Sequence, residues 1–240
     1  MSSEIKLADI DVDGAIRETA AEADDTLATD GDTRADFFRK AGIAGGAVIG
    51  GGALLSALVP GTAVAGKKSG KLDAPPKSFG KGDIGILNYA LTLEYLEAAF
   101  YNEAAKNLKL KGISADFLAV TVKDENAHVK YLKKALGKDA AASPKFDFGD
   151  ATMDEDTFLA TAFALENTGV AAYAGQGTNI SDPDIVHAAL SIHSIEARHA
   201  AVVGEIIKGK KGIAPNGSFD PPRGASDTLK IVKKTGFIVS

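Results

Sequence analysis

Six residues define the chemistry open to this chain: Glu94, Glu125, His128, Glu166, Glu196 and His199. Each interrupts a stripe of otherwise apolar or amphipathic residues that recur at three- and four-residue steps, the spacing of a buried seam between packed helices. One stripe is Leu87, Leu91, Glu94, Ala98, Tyr101, Ala105 and Leu108, and a second is Leu118, Val122, Glu125, His128, Leu132 and Leu136. A third is Leu159, Ala162, Glu166, Val170 and Tyr173, and a fourth is Ile185, Ala189, Ile192, Glu196, His199, Val203 and Ile206. A lone carboxylate in such a seam is costly and should lose its charge or disrupt its surroundings. Four carboxylates at one depth make sense if cations neutralise them. Two divalent cations carry four positive charges, so the cluster as a whole is neutral. In the Glu-x-x-His pairs of the second and fourth stripes, the two side chains lie about 60° apart around the helix, and both can reach inward. Glutamates can then bridge two metals while each histidine caps one. With no cysteine in the chain, the donors are carboxylate and imidazole, a set that suits iron, manganese or zinc rather than copper(I).

The elements that must carry these residues are four helices, predicted at about 83–108, 114–136, 154–176 and 182–208. They form an internal repeat. Glu94 and Glu125 are 31 residues apart, Glu166 and Glu196 are 30 apart, and Tyr101 and Tyr173 each follow a glutamate by seven. The stretch 90–94 echoes 162–166, and 125–128 echoes 196–199. Two copies of one helical hairpin would bring all six groups together. Within the first hairpin the depths of Glu94 and Glu125 differ by only ~5 Å at ~1.5 Å per residue. The 17 residues 137–153 exceed what a tight turn needs. They can run the length of the bundle as a long crossover between the second and third helices.

The flanks are different in character. Residues 1–32 contain ten acids and two bases, a charge of −8 within a total of −5, so the rest of the chain carries +3. This tail is expected to be disordered, and the near-neutral body argues against nucleic-acid binding. Residues 33–65 read as an export signal: Arg34, Phe37, Phe38 and Arg39 precede an apolar stretch at 41–59, then Ala63-Val64-Ala65 offers a small-x-small cleavage site. The order resembles a twin-arginine signal, with Ala35 in place of the second arginine. An uncleaved anchor at 41–59 is the alternative. Residues 66–82 read as a linker. Residues 209–240, rich in Pro and Gly, read as a tail with a short helix near 228–234. That tail is expected to pack on the bundle and cover Phe219, Ile231 and Phe237.

From Asp83 to Lys208 the chain resembles the ferritin-like domain of exported bacterial and desiccation-related proteins. The resemblance rests on 87–97 (LNYALTLEYLE), 124–128 (DENAH), 165–167 (LEN) and 195–199 (IEARH), with 219–222 (FDPP) in the tail. It implies an all-α, ferritin-like four-helix bundle whose six ligand positions are all filled. It also implies a dinuclear centre of two iron ions, or alternatively two manganese ions. The reaction is less specified by the resemblance; the leading expectation is a redox-active centre with oxygen or peroxide as the small partner, in an exported protein of oxidative-stress or desiccation protection. A non-catalytic metal-binding protein, or a structural bundle at the cell surface, is the alternative. A membrane is expected as partner only through an uncleaved signal, and a homo-oligomer is compatible with the sequence.

Residues near the six have two readings each. Tyr101 and Tyr173 either hydrogen-bond the ligand carboxylates or are core tyrosines with hydroxyls at water. Asp124 either orients a ligand histidine across the bundle or is a solvated charge paired with a lysine. Gly169, inside a helix three residues after Glu166, either leaves room for an oxygen-derived ligand or permits close helix contact. His193, three residues before Glu196, is either an extra ligand or a group at the surface or behind a ligand. His187 is expected at the surface, and Glu97 and Glu103, which leave the seam, are expected to be solvated.

Overall fold

The structure, a computed structural model, describes residues 72–239. The acidic tail and export signal read from the sequence lie outside the described residues. Among the described residues, five α-helices follow one another: α1 (Gly82–Asn107), α2 (Gly112–Leu136), α3 (Glu155–Gln176), α4 (Pro183–Lys208) and the shorter α5 (Ala225–Thr235). The first four are the predicted segments, with ends within two residues of the expected positions. Their starts carry local signals. Asp154 caps α3 by accepting from the Thr157 amide at 3.0 Å, and Glu155 and Asp156 place negative charge at the positive end of the helix dipole. Asp182 caps α4 by accepting from the Asp184 amide at 2.9 Å, with Pro183 in the first turn.

The fold is all-α, four long helices packed as a ferritin-like bundle. α1 packs mainly on α2, and α3 on α4; α2 meets α4 and α1 meets α3 across the bundle. The crossover between α2 and α3 makes this arrangement possible. At its beginning, the Asn88 side chain donates to the Asp139 carbonyl at 3.0 Å and accepts from the Ala141 amide at 2.8 Å. At its end, the Thr152 hydroxyl donates to Glu103 at 2.7 Å and accepts from Asn107 at 3.2 Å. Asn88 and Asn107 are 19 residues apart on α1, about 29 Å of helix, so the connection runs most of the bundle's length. The two hairpins are also tied at one end, where Asp83 accepts from the Ser181 and Asp182 amides, both at 2.9 Å.

The buried apolar side chains fall into two clusters. One holds Phe100, Tyr101, Phe117, Phe158 and Val203; the other holds Leu87, Leu91, Leu132, Tyr173 and Ile192. Phe100 and Phe158, both fully buried, stack with ring centroids 5.5 Å apart. One stripe needs correction: Ala105 is exposed and Ala104 is the buried residue, because the helix seam drifts as α1 nears its end. α3 is buried almost all round, from Phe158 to Gln176 with few interruptions, where the sequence reading assigned it a single seam. The additional cover comes from the residues after α4. The Arg223 amide donates to the Ala171 carbonyl at 2.8 Å. The approach is so close that a Cβ on Gly175 would lie 1.8 Å from the Arg223 carbonyl oxygen, so only glycine fits there.

α5 starts three residues before the expected position. Its first turn is capped from outside: Asp73 accepts from the Ala225 amide through its carbonyl and from the Ser226 amide through its carboxylate, at 3.1 and 2.7 Å. Phe237 packs on Phe148 of the crossover, with centroids 5.2 Å apart. Phe219, by contrast, stays 47 % exposed. Residues 72–81 lie against the same region. The Gln176 and Asn179 side chains donate to the carbonyls of Asp73 and Leu72 at 3.0 and 2.9 Å. Among the described residues, no helix is long and apolar enough to cross a membrane.

Candidate metal centre

At mid-length of the bundle, the four glutamates Glu94, Glu125, Glu166 and Glu196 are all fully buried, and His128 and His199 are nearly so. One residue comes from α1 (Glu94), two from α2 (Glu125, His128), one from α3 (Glu166) and two from α4 (Glu196, His199). Their donor atoms converge into two overlapping groups, each with all its atoms within 4.8 Å of one another. One group is Glu94, Glu125, His128 and Glu196; the other is Glu125, Glu166, Glu196 and His199. Glu125 and Glu196 belong to both. The helical repeat thus places the two Glu-x-x-His glutamates between two potential cation positions, with a single glutamate and a histidine at each.

The contacts within the cluster are close and short of proton donors. His128 Nδ1 is 3.2 Å from Glu94 Oε2, 3.2 Å from Glu125 Oε2 and 3.1 Å from Glu196 Oε1. His199 Nδ1 is 3.2 Å from Glu125 Oε1 and 3.4 Å from Glu166 Oε2. One ring nitrogen carries at most one proton. Several facing atoms therefore remain without a hydrogen-bond partner: Glu125 Oε1, Glu166 Oε2, both oxygens of Glu196 and His199 Nδ1. Unpartnered buried acceptors are rare in folded proteins. Converging on one another, they are the arrangement a cation would complete, so this donor set fits a metal pair and could hold it.

Without cations, protons take over the neutralisation. Burial, then the neighbouring Glu125, pushes the Glu94 carboxyl up to about 8. Burial, then Glu125 and Glu94, holds Glu196 well above the ordinary carboxylate range. Burial also disfavours charge on Glu125 and on the histidines, but the contacts between them outweigh it. Glu125 falls to about 2, His199 rises to about 11 through Glu125 and Glu166, and His128 rises well above its usual value.

The tyrosines cross between hairpins. The Tyr101 hydroxyl, from α1, donates to Glu166 Oε1 of α3, and the Tyr173 hydroxyl, from α3, donates to Glu94 Oε1 of α1 at 2.5 Å. Both tyrosines are deeply buried, and burial and the adjacent carboxylates keep both hydroxyls protonated as donors. Asp124 Oδ2 lies 3.3 Å from His199 Nε2. The repeat breaks here, because the residue that corresponds to Asp124 is Ile195. His128 has no matching carboxylate at that position.

Other expectations need correction. Glu97 is not solvated: it is 3 % exposed, and its Oε1 has no hydrogen-bond partner. Three residues after Glu94, it lies only about 60° around the helix, and α3 closes over it. Burial, then Glu196 and Glu166, holds its carboxyl well above the ordinary range. The signal in the sequence was the Glu-x-x-Glu spacing of 94 and 97. Gly169 faces side chains of α1 and α4. The nearest atoms to a Cβ built there are Glu97 Oε1 at 3.5 Å and Glu196 Oε2 at 3.6 Å, so a side chain there would lie in contact with both carboxylates. Glu103 is half-buried and accepts from Thr152. His187 is exposed, and His193 is half-buried with an unpartnered Nδ1.

A four-helix bundle with a buried cluster of glutamate and histidine that could hold metal defines the class of this protein as ferritin-like. Residues 82–209 match the ferritin-like domain family; the matched stretch covers more than half of the chain and includes all six cluster residues, and the chain belongs to that family. Among curated proteins, none matches the chain.

Proposed function

We propose that the chain binds two iron ions, or alternatively two manganese ions, in this cluster and is redox-active toward oxygen or peroxide. The observation that carries the reading is the convergence of donor atoms into two four-residue groups that share Glu125 and Glu196. In it, Glu94 and His128 hold one ion, Glu166 and His199 hold the other, and Glu125 and Glu196 serve both. The bound metals would supply the redox chemistry, and the protein supplies position and electrostatics. Tyr101 and Tyr173 fix the carboxylates of the two unshared glutamates, and Asp124 orients His199, a role such partners commonly play around metal ligands. The buried apolar side chains around the cluster exclude water and strengthen every charge interaction within.

An apolar recess supports oxygen as the small partner. Its cavity volume is about 30 Å³, and it is lined by Leu93, Leu132, Tyr173, Ile185 and Ile192. Leu132 and Ile192 lie one helical turn from His128 and Glu196, and Tyr173 touches Glu94. A small neutral molecule would pass such walls more readily than an ion. The twin-arginine-like segment at 34–39 and the small residues at 63–65 support a role outside the cytoplasm, which cell fractionation would test.

The decisive experiment is elemental analysis and an optical spectrum of protein purified without chelator, followed by oxygen consumption on addition of ferrous ion. Two irons per chain and rapid oxygen uptake are expected. A metal-free protein that takes up neither iron nor manganese would overturn the proposal. Two metals per chain without oxygen or peroxide turnover would leave a metal-binding protein and overturn the redox part.

A further inference from the structure

Glu97 is a buried acid that the six-residue pattern does not use. Its Oε1 accepts no hydrogen bond, and the charged groups that act on it most strongly are the carboxylates of Glu196, Glu166, Glu125 and Glu94. It stands outside the two convergent groups, and its Oε1 and Glu196 Oε2 both face Gly169, at 3.5 and 3.6 Å from where a Cβ there would lie. A glutamine would fill the same volume without the repulsion from four like charges. The carboxylate suits its surroundings only when cations are present.

We infer that Glu97 is a fifth carboxylate of the metal centre, entering it beside Glu196, and that its negative charge favours the more oxidised metal pair. The inference rests on the metal-centre reading above. Glu94, Glu125, Glu166 and Glu196 together balance two divalent ions. Removal of one electron from such a pair leaves five positive charges, and Glu97 supplies the fifth negative charge. The neutral state of the whole cluster therefore moves by one electron toward oxidation.

The test uses the full chain loaded anaerobically with ferrous ion, with metal content and the midpoint potential as readouts. Glu97→Gln keeps the side-chain volume and removes the charge, and Glu97→Asp keeps the charge. Wild type is expected to hold two irons. Glu97→Gln should lose at least about tenfold of the preference for the oxidised pair, a rise in midpoint potential of ~59 mV for a one-electron couple. Glu97→Asp should stay closer to wild type. An unchanged potential in a metal-loaded Glu97→Gln protein would overturn the inference while leaving the metal centre intact. A wild-type chain that binds no metal would instead overturn the reading on which the inference rests.

Discussion

Metal loading of this bundle should expel protons, and the number follows from the cluster. In the metal-free chain at pH 7, Glu94 holds a proton because its carboxyl titrates at about 8. His199, at about 11, and His128, raised well above its usual value, are both imidazolium. Metal ligands must be deprotonated, so filling both positions at pH 7 releases at least three protons per chain, and more to the extent that Glu196, whose carboxyl is also held well above its ordinary range, is protonated. By linkage each released proton makes the overall binding constant about tenfold tighter per pH unit, roughly a thousandfold for three. The same groups set the stability of the metal-free protein. Their folded pKa values lie above the unfolded ones, 4.5 for Glu94 and 6.5 for His199. Their contribution is therefore complete below those values, and it is lost as pH rises through about 8 and about 11. Calorimetry with manganous ion in buffers of differing ionisation enthalpy counts the protons, and thermal melts from pH 5 to 10 follow the stability. Release of fewer than one proton at pH 7, or an affinity independent of pH, would refute the charge assignment.

Three further outcomes follow from the geometry. Glu125→Ala, which removes a residue common to both donor groups, should reduce bound metal toward zero, whereas Glu94→Ala should leave about one ion per chain by elemental analysis. Asp124→Asn should weaken or alter the His199 position about 10- to 100-fold and leave the other position close to wild type in a two-step metal titration. Phe158→Ala, which empties a fully buried site stacked on Phe100, should destabilise the fold by ~3–5 kcal/mol in denaturant unfolding.

Much of the centre was legible because helical periodicity is regular. A glutamate at a seam position must point inward if its helix packs at all, so Glu94, Glu125, Glu166 and Glu196 could be placed from spacing alone. The crossover was legible for a similar reason: 17 residues are too many for a turn, and they span about the length of a helix. Glu97 was misread because a seam drawn as a single line ignores the neighbouring 60° of helix surface. A residue there is buried or exposed according to what the next helix carries, and α3 carries a glycine. The near-complete burial of α3 has a local signal, since it contains no Lys or Arg from Glu155 to Gln176, and a helix apolar on every side is an interior one. The start of α5 has none, because its first turn is capped by Asp73, about 150 residues earlier in the chain.

The exchange of tyrosine hydroxyls between the two halves has an evolutionary corollary. A lone ancestral hairpin would carry a donor with no carboxylate to receive it and a carboxylate with no donor, and only a pair of such hairpins would satisfy both. Duplication and fusion would preserve that mutual dependence while allowing each copy to mutate separately. The single aspartate opposite one histidine, matched by isoleucine in the other copy, shows that the halves have already diverged, so the two cation positions should differ in affinity and fill in a fixed order.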